Sequence, residues 1–171
     1  VPASLFSLWY YITHFNTPVI TALGIFLSGF LFWTLIEYML HRFIFHFVND
    51  HPKVQKFHYL IHGIHHDYPK DKERLVMPLA PSLMFVAVFY SIYYALLGNV
   101  VYAFFPGFVI GYLCYAMMHY AIHAIKPPKN FNYLWKHHNL HHYKCPDRAY
   151  GVSSPLWDVI FGTMPPRQYR E

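Results

Sequence analysis

Of the 171 residues, 56% are hydrophobic, 21% aromatic and only 12% charged, which excludes an ordinary water-soluble domain, where about a quarter of residues are charged. The net charge of +5 does not imply nucleic acid, because every Lys and Arg lies within 42–74 or 126–170, flanking uncharged stretches as the positive-inside rule expects. Two cysteines, Cys114 and Cys145, form no spacing motif, so neither a disulfide framework nor a Cys-based metal site is expected.

In chain order, Val1 to Phe15 is apolar and aromatic but too short to cross a bilayer, and reads as an interfacial or re-entrant helix closed by Asn16-Thr17-Pro18. It lacks the basic n-region and small-residue cleavage site of a signal peptide. Residues 19–40 contain one ionisable group, Glu37, and are long enough to span a hydrocarbon core of about 30 Å as a helix. From Pro78 to Ile125 there is no Lys, Arg, Asp or Glu, and Gly98-Asn99 supplies turn chemistry. That stretch reads as a hairpin of spans, 80–97 and 100–118, with Pro106-Gly107 kinking the return helix or marking its start. The fold expected for 1–171 is therefore a single all-α integral membrane domain. Its transmembrane helices are topped by a cytosolic helical cap made of 41–79 and 119–171.

Of the fourteen histidines, all but His14 fall in that cap, and their spacing carries the chemistry. They run His41-x4-His46, His62-x2-His65-His66, His119-x3-His123 and His138-x2-His141-His142. Residues i, i+3 and i+4 share a helix face, so each triplet and the 119/123 pair would aim imidazoles at a common point. The 41/46 spacing turns a helix by about 140°, which implies that the helix end unwinds there or that the two serve different metals. Ten imidazoles suit two ions at five nitrogens each. Imidazole accepts zinc, copper, iron and nickel alike, and closed zinc sites usually include Cys.

His14 reads as a packed helix residue and His51 as a solvated loop residue; periodicity alone leaves His58 and His137 open. Glu37, one turn before His41, is expected to orient that imidazole by accepting its N–H.

The sequence resembles the fatty acid hydroxylase branch of the membrane histidine-box family, and fatty acid 2-hydroxylases most. The resemblance rests on Leu35-Ile36-Glu37-Tyr38-Met39-Leu40-His41-Arg42-Phe43-Ile44-Phe45-His46, on His62-Gly63-Ile64-His65-His66 with Asp71 to Pro78, and on Gly151 to Asp158 with Phe161-Gly162-Thr163. It implies hydroxylation at carbon 2 of a long acyl chain, free or in a sphingolipid, using O₂ and an electron donor. It also implies that the ten patterned histidines hold two metal ions. Iron is expected in the active enzyme, zinc is able to fill the site in a purified sample, and no haem is expected in this chain.

Nothing here resembles a cytochrome b5 domain, so a separate donor, cytochrome b5 or a ferredoxin with its reductase, is the expected partner besides membrane and lipid. The location implied is a multi-pass membrane protein with a cytoplasmic active site, in the endoplasmic reticulum of a eukaryote or the inner membrane of a bacterium. Similar members usually carry Tyr-Asp before the third box, whereas here Tyr115 precedes Ala116. Tyr115 is expected beside the ligands, and Asp71, Arg74, Asn139 and Lys144 at a lipid headgroup. Phe32, Tyr38, Tyr112 and Tyr115 are aromatic candidates for lining the chain's path. The alternatives weighed are a sterol, carotenoid or alkane hydroxylase or desaturase with the same site, and, remotely, a membrane zinc-binding or transport protein.

Overall fold

A computed structural model describes residues 2–170; Val1, where the sequence begins, and Glu171 lie outside the described residues. Among these residues there is no strand, as expected. The helices are α1 (Pro2–His14), α2 (Val19–Leu40), α3 (Pro52–His58), α4 (Ile64–Asp67), α5 (Leu79–Leu97), α6 (Val101–Ala124), α7 (Tyr133–Tyr143), α8 (Leu156–Ile160) and α9 (Arg167–Arg170). Two π-helical turns, His41–Phe45 and Tyr59–Gly63, interrupt them. Gly98 caps α5 at φ 55°, a left-handed conformation that costs glycine little. His51 caps α3, its side chain accepting the Lys53 N–H.

The chain divides into two compact units, Val1–Trp33 with Met77–Cys114, and Thr34–Val76 with Tyr115–Glu171. In the first, Gly29 and Gly107 let backbones approach closely. A Cβ on Gly29 would lie 2.0 Å from the Phe104 carbonyl oxygen, and one on Gly107 would lie 1.8 Å from that of Phe26. Such small-residue contacts are characteristic of helix pairs that pack without a hydrophobic driving force. Around them Trp33, Phe85, Phe89, Tyr93 and Phe108 interlock mostly edge to face. Helix α1 docks through Tyr11, packed with Ala22 and Ala103. Pro106 lies within α6, whose first residue is Val101.

Val19–Phe45 and Lys72–Ala124 are apolar and long enough to cross a membrane, and only 17% and 6% of their most apolar windows are buried. Core helices of a water-soluble domain would be covered; Leu27, Leu31, Leu83, Met84 and Leu96 face outward instead. The second stretch folds as α5 and α6 around the turn Gly98–Val100. Helix α6 outruns the expected end at 118 and carries both His119 and His123.

The second unit contains all ten patterned histidines. Its apolar core is Ile122, Leu134, Trp135 and Val152, with Tyr115, Met118 and Ala121 packed against it.

Candidate metal centre

The 41/46 spacing is resolved by a π turn. The His46 N–H bonds the His41 carbonyl at 3.2 Å, five residues back, and that wider pitch brings i and i+5 onto one face. Both rings consequently belong to one cluster rather than to two. A second π turn, Tyr59–Gly63, leads into the next box.

Two groups of five histidines result: His41, His46, His62, His66 and His141, and His65, His119, His123, His138 and His142. Within each group one nitrogen from every ring lies within 4.8 Å of all the others. The triplets do not aim at a common point as expected; each is shared. The i,i+4 pairs 62/66 and 138/142 enter different groups, and the i+3 residues His65 and His141 cross to the opposite one. Successive helical residues are offset by about 100°, so a triplet presents two directions, and sharing each triplet between the groups yields five plus five.

The nitrogens fit a metal ion. His62 Nε2 is 3.1 Å from His41 Nε2 and His46 Nε2 and 2.9 Å from His66 Nε2, and His46 Nε2 is 3.0 Å from His141 Nε2. In the second group His65–His119, His123–His138 and His138–His142 approach through Nε2 at 2.9, 3.0 and 3.0 Å. Two nitrogens at right angles on bonds of about 2.1 Å lie about 3.0 Å apart.

The tautomers agree with that fit. His41 Nδ1 bonds the Tyr150 carbonyl and His141 Nδ1 the Arg148 carbonyl. A proton donated there leaves each Nε2 as an acceptor only. Those two buried Nε2 lone pairs point at other ring nitrogens of the first group, where a cation would satisfy them. Burial, reinforced by neighbouring imidazoles, holds His46 and His65 down at about 3 and His66 at about 4. His62, His138, His141 and His142 are pushed well below the usual histidine value for the same reasons. Neutral imidazole is the form that binds metal.

The remaining expectations fall out individually. His14 is stacked on Tyr10, with ring centroids 4.8 Å apart, and His58 bonds the Phe45 carbonyl; neither enters a group. The short hydrogen bonds of Glu37 run to the backbone of Val152 and Ser153 and to the Ser153 hydroxyl, while the His41 ring it was expected to orient bonds Tyr150. Tyr115 stacks on His119 at 5.8 Å. The His119 ring also bonds the Leu75 backbone, a partner that Ala116 cannot provide.

Asp71 and Arg74 pair with each other at 2.9 Å, both exposed, and Asp71 caps the turn Lys72–Arg74. Asp71 also lines a depression of about 440 Å³ with His66, Asp67, Tyr68, Pro69, Lys70 and Tyr143. Lys144 is exposed at the end of α7 and Asn139 is half-buried. Phe32 packs on Tyr93 and Phe104, and Tyr112 on Trp33 and Phe85. Tyr38 is fully buried and bonds Thr163, so it lines no open path.

Sequence reasoning missed the carbonyls of Arg148 and Tyr150, and it missed Asp158, which is completely buried and bonded to His137 at 3.0 Å. An acidic residue inside the apolar run Leu156–Ile160 was the available signal.

The comparisons with known proteins point the same way. The chain is 43% identical to the ceramide very long chain fatty acid hydroxylase of Saccharomyces cerevisiae, over 86% of this chain and 40% of that protein. It is 39% identical to a dihydroceramide fatty acyl 2-hydroxylase of Arabidopsis thaliana, over 80% and 59%. It is 37% identical to the fatty acid 2-hydroxylase of Mus musculus, over 88% and 42%. The chain thus spans roughly two- to three-fifths of the length of these relatives. A solved structure of full-length scs7p, in which only the hydroxylase domain is visible, superimposes with a TM-score of 0.88 at 38% identity. That match covers 96% of this chain and 63% of the other. Because the fatty acid hydroxylase profile also matches residues 26–163, the chain belongs to the fatty acid hydroxylase family.

Proposed function

We propose that the chain is the metal-binding hydroxylase domain of a membrane monooxygenase acting at carbon 2 of a long-chain fatty acyl group, free or within a ceramide. The observation that carries this reading is the convergence of ten imidazoles into two five-membered groups in a chain whose relatives carry the names of fatty acid and ceramide hydroxylases. His41, His46, His62, His66 and His141 would hold one ion, and His65, His119, His123, His138 and His142 the other. Bound iron would supply O₂ activation and oxidation of the C–H bond at carbon 2; zinc, which imidazole also accepts, would fill the site without supporting turnover.

The chain's own contribution is arrangement. Neutral, buried rings keep their Nε2 lone pairs available, and the carbonyls of Arg148 and Tyr150 fix two of them in orientation. Burial of His62, His65, His138 and His141 keeps bulk water from the reacting carbon. The depression beside His66, edged by Lys70 and Asp71, is suited to the polar end of an acyl lipid. Electrons come from a donor protein of the cytochrome b5 or ferredoxin class. The Lys and Arg that flank the apolar stretches support a site on the cytoplasmic face of the membrane, that of the endoplasmic reticulum in a eukaryote or the inner membrane in a bacterium.

Lipid mass spectrometry of cells expressing the protein under ¹⁸O₂ tests this. The expected result is 2-hydroxyacyl lipid carrying ¹⁸O, abolished in His65→Ala. Unlabelled product, a hydroxyl at another carbon, or undiminished product in His65→Ala would contradict it.

A further inference from the structure

We infer that Glu37 and Asp158 are positioning residues for the first histidine group, acting through the backbone of residues 148–153. The inference rests on the two-ion reading above and extends it to groups that touch no ion.

Four consecutive backbone N–H groups are received by these two carboxylates. Tyr150 N–H and Gly151 N–H donate to Asp158 Oδ1 and Oδ2 at 2.9 and 2.8 Å. Val152 N–H and Ser153 N–H donate to Glu37 Oε1 at 2.8 and 2.9 Å, and the Ser153 hydroxyl to Glu37 Oε2. Both acids are buried, Asp158 at 0% and Glu37 at 4% exposure. A buried carboxylate is costly unless its lone pairs are satisfied, and here the backbone satisfies them. Hydrogen bonds of this charge-assisted kind are roughly twice as strong as neutral ones, so the segment is held from both sides.

Gly151 permits the grip, since a Cβ there would lie 2.1 Å from the Ser154 carbonyl oxygen and 2.9 Å from Asp158 Oδ2. Asp158 is itself anchored by His137 at 3.0 Å and the Thr163 hydroxyl at 2.8 Å. Ala149, at φ 58°, turns the chain just before the gripped amides.

The carbonyls of the same segment face the other way. Tyr150 receives His41 Nδ1, and Arg148 receives His141 Nδ1 at 2.7 Å. Those two rings belong to the first group. In the second group, the Nδ1 atoms of His65, His138 and His142 are buried without a hydrogen-bond partner among the described residues. Asp158 thus fixes the Tyr150–Gly151 peptide plane, which sets the tautomer and tilt of His41. The Arg148–Ala149 plane that receives His141 is held by the Thr163 carbonyl through Ala149 N–H at 2.9 Å, and Thr163 is in turn bonded to Asp158. The second group receives no such support from this segment.

The test is a competition titration of Zn²⁺ against a chelating fluorophore, on detergent-purified protein stripped of metal, comparing wild type with Glu37→Gln and Asp158→Asn. Each variant is expected to weaken one of two binding steps by about 10–100-fold, the usual cost of losing an outer partner of a ligand, and to leave the other step and the thermal transition in place. Cobalt substitution should show the same asymmetry, one half of the absorption changing in position and intensity. Two unaltered steps would overturn the inference, as would parallel loss of both steps with the thermal transition, which marks general structural support. If Glu37→Gln does not fold, Ser153→Ala removes only the donated hydroxyl and should weaken the same single step to a smaller degree; equal weakening of both steps would refute the selectivity. A wild-type protein with fewer than two steps would instead refute the two-ion reading beneath it.

Discussion

Acidification should unfold the metal-free protein well before it unfolds the loaded one. His46, His65 and His66 are held at about 3, 3 and 4 by burial and neighbouring rings, against about 6.5 in an unfolded chain. Their folded pKa values are depressed, so the unfolded state takes up protons first. Stability is present above about pH 6.5 and is lost as pH falls from there toward the folded values.

Between pH 7.5 and 5.5 proton uptake at these histidines in the unfolded chain removes on the order of a few kcal/mol of stability, a large part of the 5–15 kcal/mol typical of a folded domain. Bound ions oppose this, because protons must displace metal before they reach the imidazoles. The assay is thermal denaturation in detergent, followed by tryptophan fluorescence, of chelator-treated and metal-loaded samples across that range. The chelated sample should lose its transition steeply below pH 6.5 and the loaded sample only at lower pH. Identical and flat pH dependences would show that these rings are neither buried in neutral form nor metal-bound.

Replacing His141 with Ala should lower bound metal and abolish product, whereas His14→Ala, altering a ring stacked on Tyr10, should leave both unchanged. His58→Ala, which removes a bond to the Phe45 carbonyl, should retain both ions, and metal analysis alongside His62→Ala separates a ligand from its neighbour. Gly107→Leu forces side-chain atoms against the Phe26 carbonyl and should destabilise the first unit by about 1–3 kcal/mol, read as a lowered melting temperature; an unchanged transition would refute the close helix crossing. Arg74→Ala, at an exposed ion pair, should change stability by less than about 1 kcal/mol.

The limits of helices α2 and α5 were legible because apolar runs ended by Pro18, Pro78 and Gly98 leave little choice of register. The same spacing rules identified which histidines would gather. They failed on how those histidines divide, because i+3 and i+4 neighbours look equivalent along a sequence while pointing in different directions about an axis. The 41/46 pair was ambiguous for a related reason: nothing in His41-Arg42-Phe43-Ile44-Phe45 announces a π turn, which tertiary demand for two convergent rings stabilises. Glu37 was recognised as too costly to be idle, yet its partners lie 115 and 116 residues away in sequence. Backbone amides that serve as hydrogen-bond donors leave no mark on side-chain identity. Asp158 escaped notice in part for the same reason, since two of its four side-chain hydrogen bonds among the described residues go to main-chain amides.

The central claim is that two separate sets of five imidazoles each hold one ion. Metal content per chain, measured by mass spectrometry on the purified wild type and on His46→Ala and His123→Ala, one ligand from each set, addresses it most directly. Two ions in the wild type and one in each variant are predicted, with the two single losses combining to none in the double variant. One ion in the wild type, or loss of both ions from a single substitution that leaves the fold intact, would contradict it.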